Sequence, residues 1–214
     1  MQNEVQIKIN EMRLGGIMGI PANAQGIVIF VHGSGSSRHS PRNKFVANRL
    51  QENGFATLLF DLLTPIEDLE YMNRFNTDLL SKRLEFVTRW VQRNQYTKNL
   101  SIGYFGASTG AAAALVDAAG LKPDIKAVVS RGGRPDLTED STLAQVECPV
   151  LLIVGGDDDV VIDFNKKAFK KIGSAKKELS IVEGATHLFE EPGKLEEVAD
   201  LAVEWFKKWL MVDS

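Results

Sequence analysis

Short, mostly apolar runs punctuate the chain: Ile27–Val31, Ala56–Phe60, Ile102–Phe105, Ala127–Ser130, Val150–Val154 and Leu179–Val182. A strand with one wet face alternates apolar and polar side chains, whereas runs of this kind suit strands covered on both faces, as in a parallel sheet. Glu4–Asn10, ahead of them, does alternate, with Val5, Ile7 and Ile9 set against polar neighbours. Arg13–Gly19 can pair back on it after a short Asn10–Glu11 turn, which predicts an antiparallel hairpin ahead of the parallel strands.

Helical patterns fill the intervals. Ser40 and Pro41 suit the N-cap and first position of a helix ending near Gly54. Leu80, Leu84, Val87 and Val91 recur at helical spacing and predict an amphipathic helix over Thr77–Asn94. The alanine-rich stretch Thr109–Ala119 can lie close against a sheet, and Val198, Ala202, Trp205 and Trp209 predict the buried stripe of a final helix. The pattern is that of an α/β fold, with a mostly parallel sheet, an antiparallel N-terminal hairpin and helices on both faces. With no repeat or Gly/Ser linker in its 214 residues, the chain is expected to form a single domain over 1–214.

Composition narrows the function. A net charge of −3 gives no overall electrostatic footprint for nucleic acid or an anionic membrane. The single cysteine, Cys148, fits a reducing compartment, and no apolar stretch is long enough for a signal peptide or a spanning helix, so a cytoplasmic protein is expected.

In parallel α/β sheets the site lies at the carboxyl ends of the strands. There, after Ile102–Phe105, stands Gly106-Ala107-Ser108-Thr109-Gly110. A serine between such glycines, at a strand-to-helix turn, has the sequence of a nucleophile elbow. Serine needs a base. Of the three histidines, His187 follows the last strand on a loop that can reach back over Ser108, whereas His32 and His39 read as structural. The acid that orients the histidine is expected after Val150–Val154, among Asp157, Asp158 and Asp159; their order relative to Ser108 and His187 suits the elbow fold, and residue type alone favours none of them. The small residues of His32–Ser37 suit an oxyanion loop, with the backbone N–H groups of Ser34 and Thr109 as donors. A nucleotide-binding loop would need a lysine and a glycine spacing that are absent here. Arg38, Arg42, Arg131 and Arg134 belong to the same edge. Arg131, with Arg42, is expected to clamp an anionic group on the acyl part of the substrate; ion pairs with Asp61, Asp136 or the aspartate cluster are the competing expectation.

Four stretches, HGSGSSRHSPRN (His32–Asn43), GYFGASTGAAAAL (Gly103–Leu115), SRGGRPDL (Ser130–Leu137) and GATHLFEEPG (Gly184–Gly193), resemble the dienelactone hydrolase-related α/β-hydrolases. Within them the resemblance is to a bacterial serine-nucleophile subgroup sometimes fused to a phosphoribosyltransferase, here in stand-alone form. It implies an eight-stranded sheet without a large lid and selects Asp158, within Gly155-Gly156-Asp157-Asp158, as the orienting acid. Family members with cysteine as nucleophile cleave dienelactone, so serine departs from that pattern. The expected activity is hydrolysis of a small carboxylic ester through an acyl-serine, with no metal or organic cofactor. Thioesterase or amidase activity, or a non-catalytic binding module on the same fold, are the alternatives.

Overall fold

The structure, a computed structural model, describes residues 2–9 and 11–211. Its sheet has eight strands: β1 (Gln2–Ile9), β2 (Met12–Gly19), β3 (Gly26–Val31), β4 (Phe55–Phe60), β5 (Ser101–Ala107), β6 (Ile125–Arg131), β7 (Val150–Gly155) and β8 (Lys177–Val182). They lie in the order β1-β2-β4-β3-β5-β6-β7-β8. β1 and β2 form the expected antiparallel hairpin, and β2 joins β4 antiparallel. All later pairings are parallel. Of the turn expected at Asn10–Glu11, Asn10 lies outside the described residues.

The unbroken apolar runs have the two-sided burial that their pattern predicts. Ile27, Ile29 and Val31 of β3 face one core and Val28 and Phe30 the other. The first core is roofed by α2 (Thr77–Arg93), α3 (Thr109–Gly120) and α5 (Asp159–Lys171). The second lies under α1 (Pro41–Glu52) and α6 (Lys194–Leu210). Ser40 caps α1, its hydroxyl accepting the Asn43 N–H. A one-turn helix, α4 (Asp140–Leu143), follows β6. Among the described residues no helix is long and apolar enough to cross a membrane.

Two expectations need correction. β8 is an edge strand, and only Val182 in it is buried, so Leu179–Val182 is not covered on both faces. In α6 Trp209 is half-buried, and the stripe runs instead through Val198, Ala202, Trp205, Phe206 and Leu210. The helix reaches the last turn with its apolar face rotated toward Phe206 and Leu210, which pack under Gly103 of β5.

A buried polar joint ties β5 to α2 and to α3, the helix that begins just after Ser108. The Tyr104 hydroxyl donates to Asp117 Oδ2 at 2.5 Å and lies 2.7 Å from Thr88 Oγ1. Burial pushes the Asp117 carboxyl up from 3.8 to about 7, against the lowering effect of the Tyr104 hydrogen bond. A carboxyl whose folded-state value lies above its unfolded one binds its proton more tightly in the folded state. Its contribution is therefore largest below about pH 4 and is lost as pH rises toward 7. Asp117→Asn, which keeps an acceptor for Tyr104 and carries no charge, should be more stable than the parent at pH 8, by up to about 4 kcal/mol. The gap should shrink to less than half of that at pH 5 and close only below about pH 4. Melting temperatures of both proteins at the two pH values check this; equal gaps would mean that Asp117 titrates normally.

Candidate active site

β5 ends at Ala107 and α3 begins at Thr109, so Ser108 alone makes the turn. Its φ of 50° and ψ of −121° lie where residues other than glycine are rarely found, a strain that persists only when the surroundings impose it. The surroundings are the next strand and its loop. Ser108 N–H donates to Arg131 O at 3.2 Å, and Arg134 N–H donates to Ser108 O at 3.1 Å. A Cβ on Gly106 would stand 2.5 Å from Ala111 Cα, and one on Gly110 would overlap Val31 O at the end of β3. Both glycines are thus required, the first by its own helix and the second by the neighbouring strand.

The loop after β8 carries His187. Its Nδ1 lies 2.6 Å from Asp158 Oδ2. Asp158 occupies the N-cap position of α5, yet its carboxylate makes no capping bond and turns to the imidazole instead. Asp157 and Asp159 are exposed, Asp159 within the first turn of α5. The two loops press on each other: Asp157 N–H donates to Ala185 O at 3.0 Å, and any side chain at Gly155 would overlap Ala185 O. Thr186 is braced by Glu191 through its N–H (3.2 Å) and hydroxyl (2.6 Å). Phe189, fully buried, adopts φ 57° to bring the chain back into the core beside His187.

Ser108 and His187 line one cavity of about 170 Å³ together with Ser34, Arg42, Asn43 and Arg131. The arginines of this edge divide sharply. Arg38 pairs with Asp61, Arg134 with Asp136 at 2.7 Å and Arg42 with Glu190 at 2.5 Å. Arg131 is only 7% exposed and, among the described residues, pairs with no carboxylate. Its Nη2 reaches Asn43 Oδ1 at 3.5 Å, and the guanidinium lies 5.9 Å from the Phe189 ring centroid. Burial, and then the nearby Arg42, draw its pKa down from 12.5 to about 10, so it remains charged near neutrality.

The loop that follows β3 is built around His32. Leu62 N–H donates to its Nε2 at 3.0 Å, which leaves Nδ1 to donate to Gly33 O at 2.9 Å. The ring is thereby held in one neutral tautomer, and burial lowers its pKa. His39 is exposed and lies off the cavity. The Ser34 N–H, expected to be free for an oxyanion, donates to Thr109 Oγ1 at 2.9 Å. Thr109 itself lies outside the Ser108 cavity and lines a neighbouring one, which it shares with Ser34. Among the described residues no group of three His, Cys, Asp or Glu side chains could hold a metal ion.

The family model for the dienelactone hydrolase family matches residues 14–211. The chain belongs to that family. A dienelactone hydrolase from Anabaena variabilis is 50% identical, covers 98% of both chains and superposes with a TM-score of 0.94. Est1E from Butyrivibrio proteoclasticus, 16% identical over 96% of this chain and 98% of its own, has a TM-score of 0.81 and shares the fold. Among curated relatives, "Putative phosphoribosyl transferase" proteins from two strains of Mycobacterium tuberculosis are 54% identical over 95% of this chain. The chain spans only 45% of their length. The family match and the 50% identity to a dienelactone hydrolase over nearly the whole length make this a hydrolase-family chain.

Some residues that shape this family member's cavity left no signal in the sequence. Asn165, fully buried on α5, donates to Gly133 O at 2.9 Å and fixes the loop that follows Arg131. Phe189 reads as one more apolar residue after His187; its positive φ and its place beneath Arg131 emerge only in three dimensions.

Proposed function

We propose that the protein is a serine esterase that cleaves a small carboxylic ester through an acyl-serine intermediate. The observation that carries this reading is Ser108, held at a strained φ in the wall of a cavity that it shares with His187, whose other ring nitrogen is tied to Asp158. With Nδ1–H donated to Asp158, His187 presents Nε2 as the base. Ser108 Oγ attacks the carbonyl carbon as its proton passes to Nε2. The imidazolium, stabilised by Asp158, then returns that proton to the leaving alcohol, and water repeats the sequence on the acyl-serine. Backbone N–H groups of Thr109, at the amino end of α3, and Ser34 hold the developing oxyanion. As charge grows on the substrate oxygen, it replaces Thr109 Oγ1 as acceptor for the Ser34 N–H. These steps need no metal or organic cofactor, and the lone Cys148 suits work in the cytoplasm. A panel of 4-nitrophenyl esters followed in the pre-steady state tests the reading. An initial burst stoichiometric with enzyme supports an acyl-enzyme, and no turnover on any ester argues against esterase function.

Arg131 supports a preference for an anionic substrate, with Arg42 beside it. A buried guanidinium without a carboxylate partner is costly, and the substrate is the species left to supply the charge. A charge-assisted hydrogen bond is worth about 1.5–3 kcal/mol, roughly 10- to 150-fold in selectivity. Arg131→Gln should lower kcat/KM on a carboxylate-bearing ester by about that factor while barely changing the value on a neutral isostere. Equal losses on both substrates would make Arg131 a structural residue.

A further inference from the structure

The loop Gly33–Ser36 is a wall between two cavities. On one side lies the cavity of Ser108, His187 and Arg131; on the other, a larger one of about 260 Å³ is lined by Leu62, Leu63, Pro65, Leu80 and Thr109. Gly33, Ser34 and Ser36 line both. The charged side chains of the larger cavity are already engaged: Asp61 takes the Arg38 N–H at 2.8 Å and its guanidinium, and Asp68 takes two hydrogen bonds from Arg74 at 2.7 and 2.9 Å. No unpaired charge among them calls for an ionic ligand. The segment that forms its outer wall, between Pro65 and Arg74, also leaves Ile66 (80%), Leu69 (84%), Tyr71 (61%) and Met72 (66%) exposed. So many large apolar side chains open to water on one short segment mark a surface that meets apolar material.

We infer that this second cavity is the acyl subsite and takes an uncharged, apolar acyl chain. The inference rests on the esterase reading above. Its direction follows from proton transfer. The leaving oxygen must take its proton from His187, so the alcohol part departs through the cavity that His187 lines. A substrate carbonyl held by Ser34 and Thr109 sits where the two cavities meet. What extends past Thr109 into the cavity without His187 is then the acyl chain. The anionic group recognised by Arg131 is thereby assigned to the alcohol side, not to the acyl part as the sequence alone suggests.

The test is kcat/KM for 4-nitrophenyl acetate, butyrate and hexanoate, in the parent and in Leu63→Trp, which fills the cavity. Each buried methylene should raise the parent's value roughly fourfold. In Leu63→Trp the ratio of hexanoate to acetate should fall to about one. Because a ratio within one protein is independent of the fraction of active molecules, partial misfolding does not distort it. Pro65→Trp, at an exposed position of the same wall, gives the same readout without burdening the core. A flat or falling profile in the parent overturns the subsite, as does a rising profile that neither tryptophan alters. Failure of the esterase reading looks different: the parent then turns over none of the three esters.

Discussion

Ser108→Ala is expected to leave the fold intact and to lower kcat for ester hydrolysis by about 10⁶. The size follows from how triads work: nucleophile and base act as one unit, so removing either forfeits nearly all covalent catalysis and leaves only binding and oxyanion stabilisation. Alanine also lifts nothing from the core, because the strained turn is fixed by backbone bonds to Arg131 O and from Arg134 N–H rather than by the hydroxyl. His187→Ala should do comparable damage, while His39→Ala, on an exposed loop away from the cavity, should not. Purified variants assayed on one 4-nitrophenyl ester, with circular dichroism as the fold control, settle the point. More than a tenth of parental activity in Ser108→Ala would remove the serine from the chemistry.

Asp158→Asn should cost about 10⁴ in kcat. The amide can present its NH₂ to Nδ1 and so favour the tautomer that leaves Nε2 protonated and unable to act as a base. It also withdraws the negative charge that faces the imidazolium at 2.6 Å. The same change at Asp157 or Asp159, both exposed, should matter little. A larger deficit at either neighbour would transfer the orienting role to it.

The strands were legible because a parallel sheet buries both faces and writes that burial as continuous apolar runs, which β3 and β7 display almost without interruption. β8 was legible as a strand but not as an edge, since one chain's pattern does not say which strand lacks a neighbour. Around the cavity, the glycines beside Ser108 advertise a close approach in the sequence itself. Residue type does not choose among Asp157, Asp158 and Asp159, and only the family resemblance selects Asp158: the choice depends on which carboxylate the His187 loop meets, a contact across 29 positions of chain. For the same reason the Ser34–Thr109 bond and, among the described residues, the isolation of Arg131 from any carboxylate leave no trace in the sequence. Four arginines look alike along the chain, and only their neighbours in space separate the three that are paired from Arg131, which meets no carboxylate among the described residues. The segment from Asp61 to Asn76 has no helical or strand period. Its short turns at Glu67–Leu69 and Tyr71–Phe75 therefore leave no signal in the sequence, nor do the apolar side chains that they hold out to water.

The most direct test of the central claim is covalent labelling with a fluorophosphonate, which phosphonylates an activated serine with loss of fluoride. Intact mass should show a single adduct, peptide mapping should place it on Ser108, and ester hydrolysis should fall in step with its formation. No adduct, or an adduct elsewhere with hydrolysis undiminished, would contradict the assignment of Ser108 as an activated nucleophile.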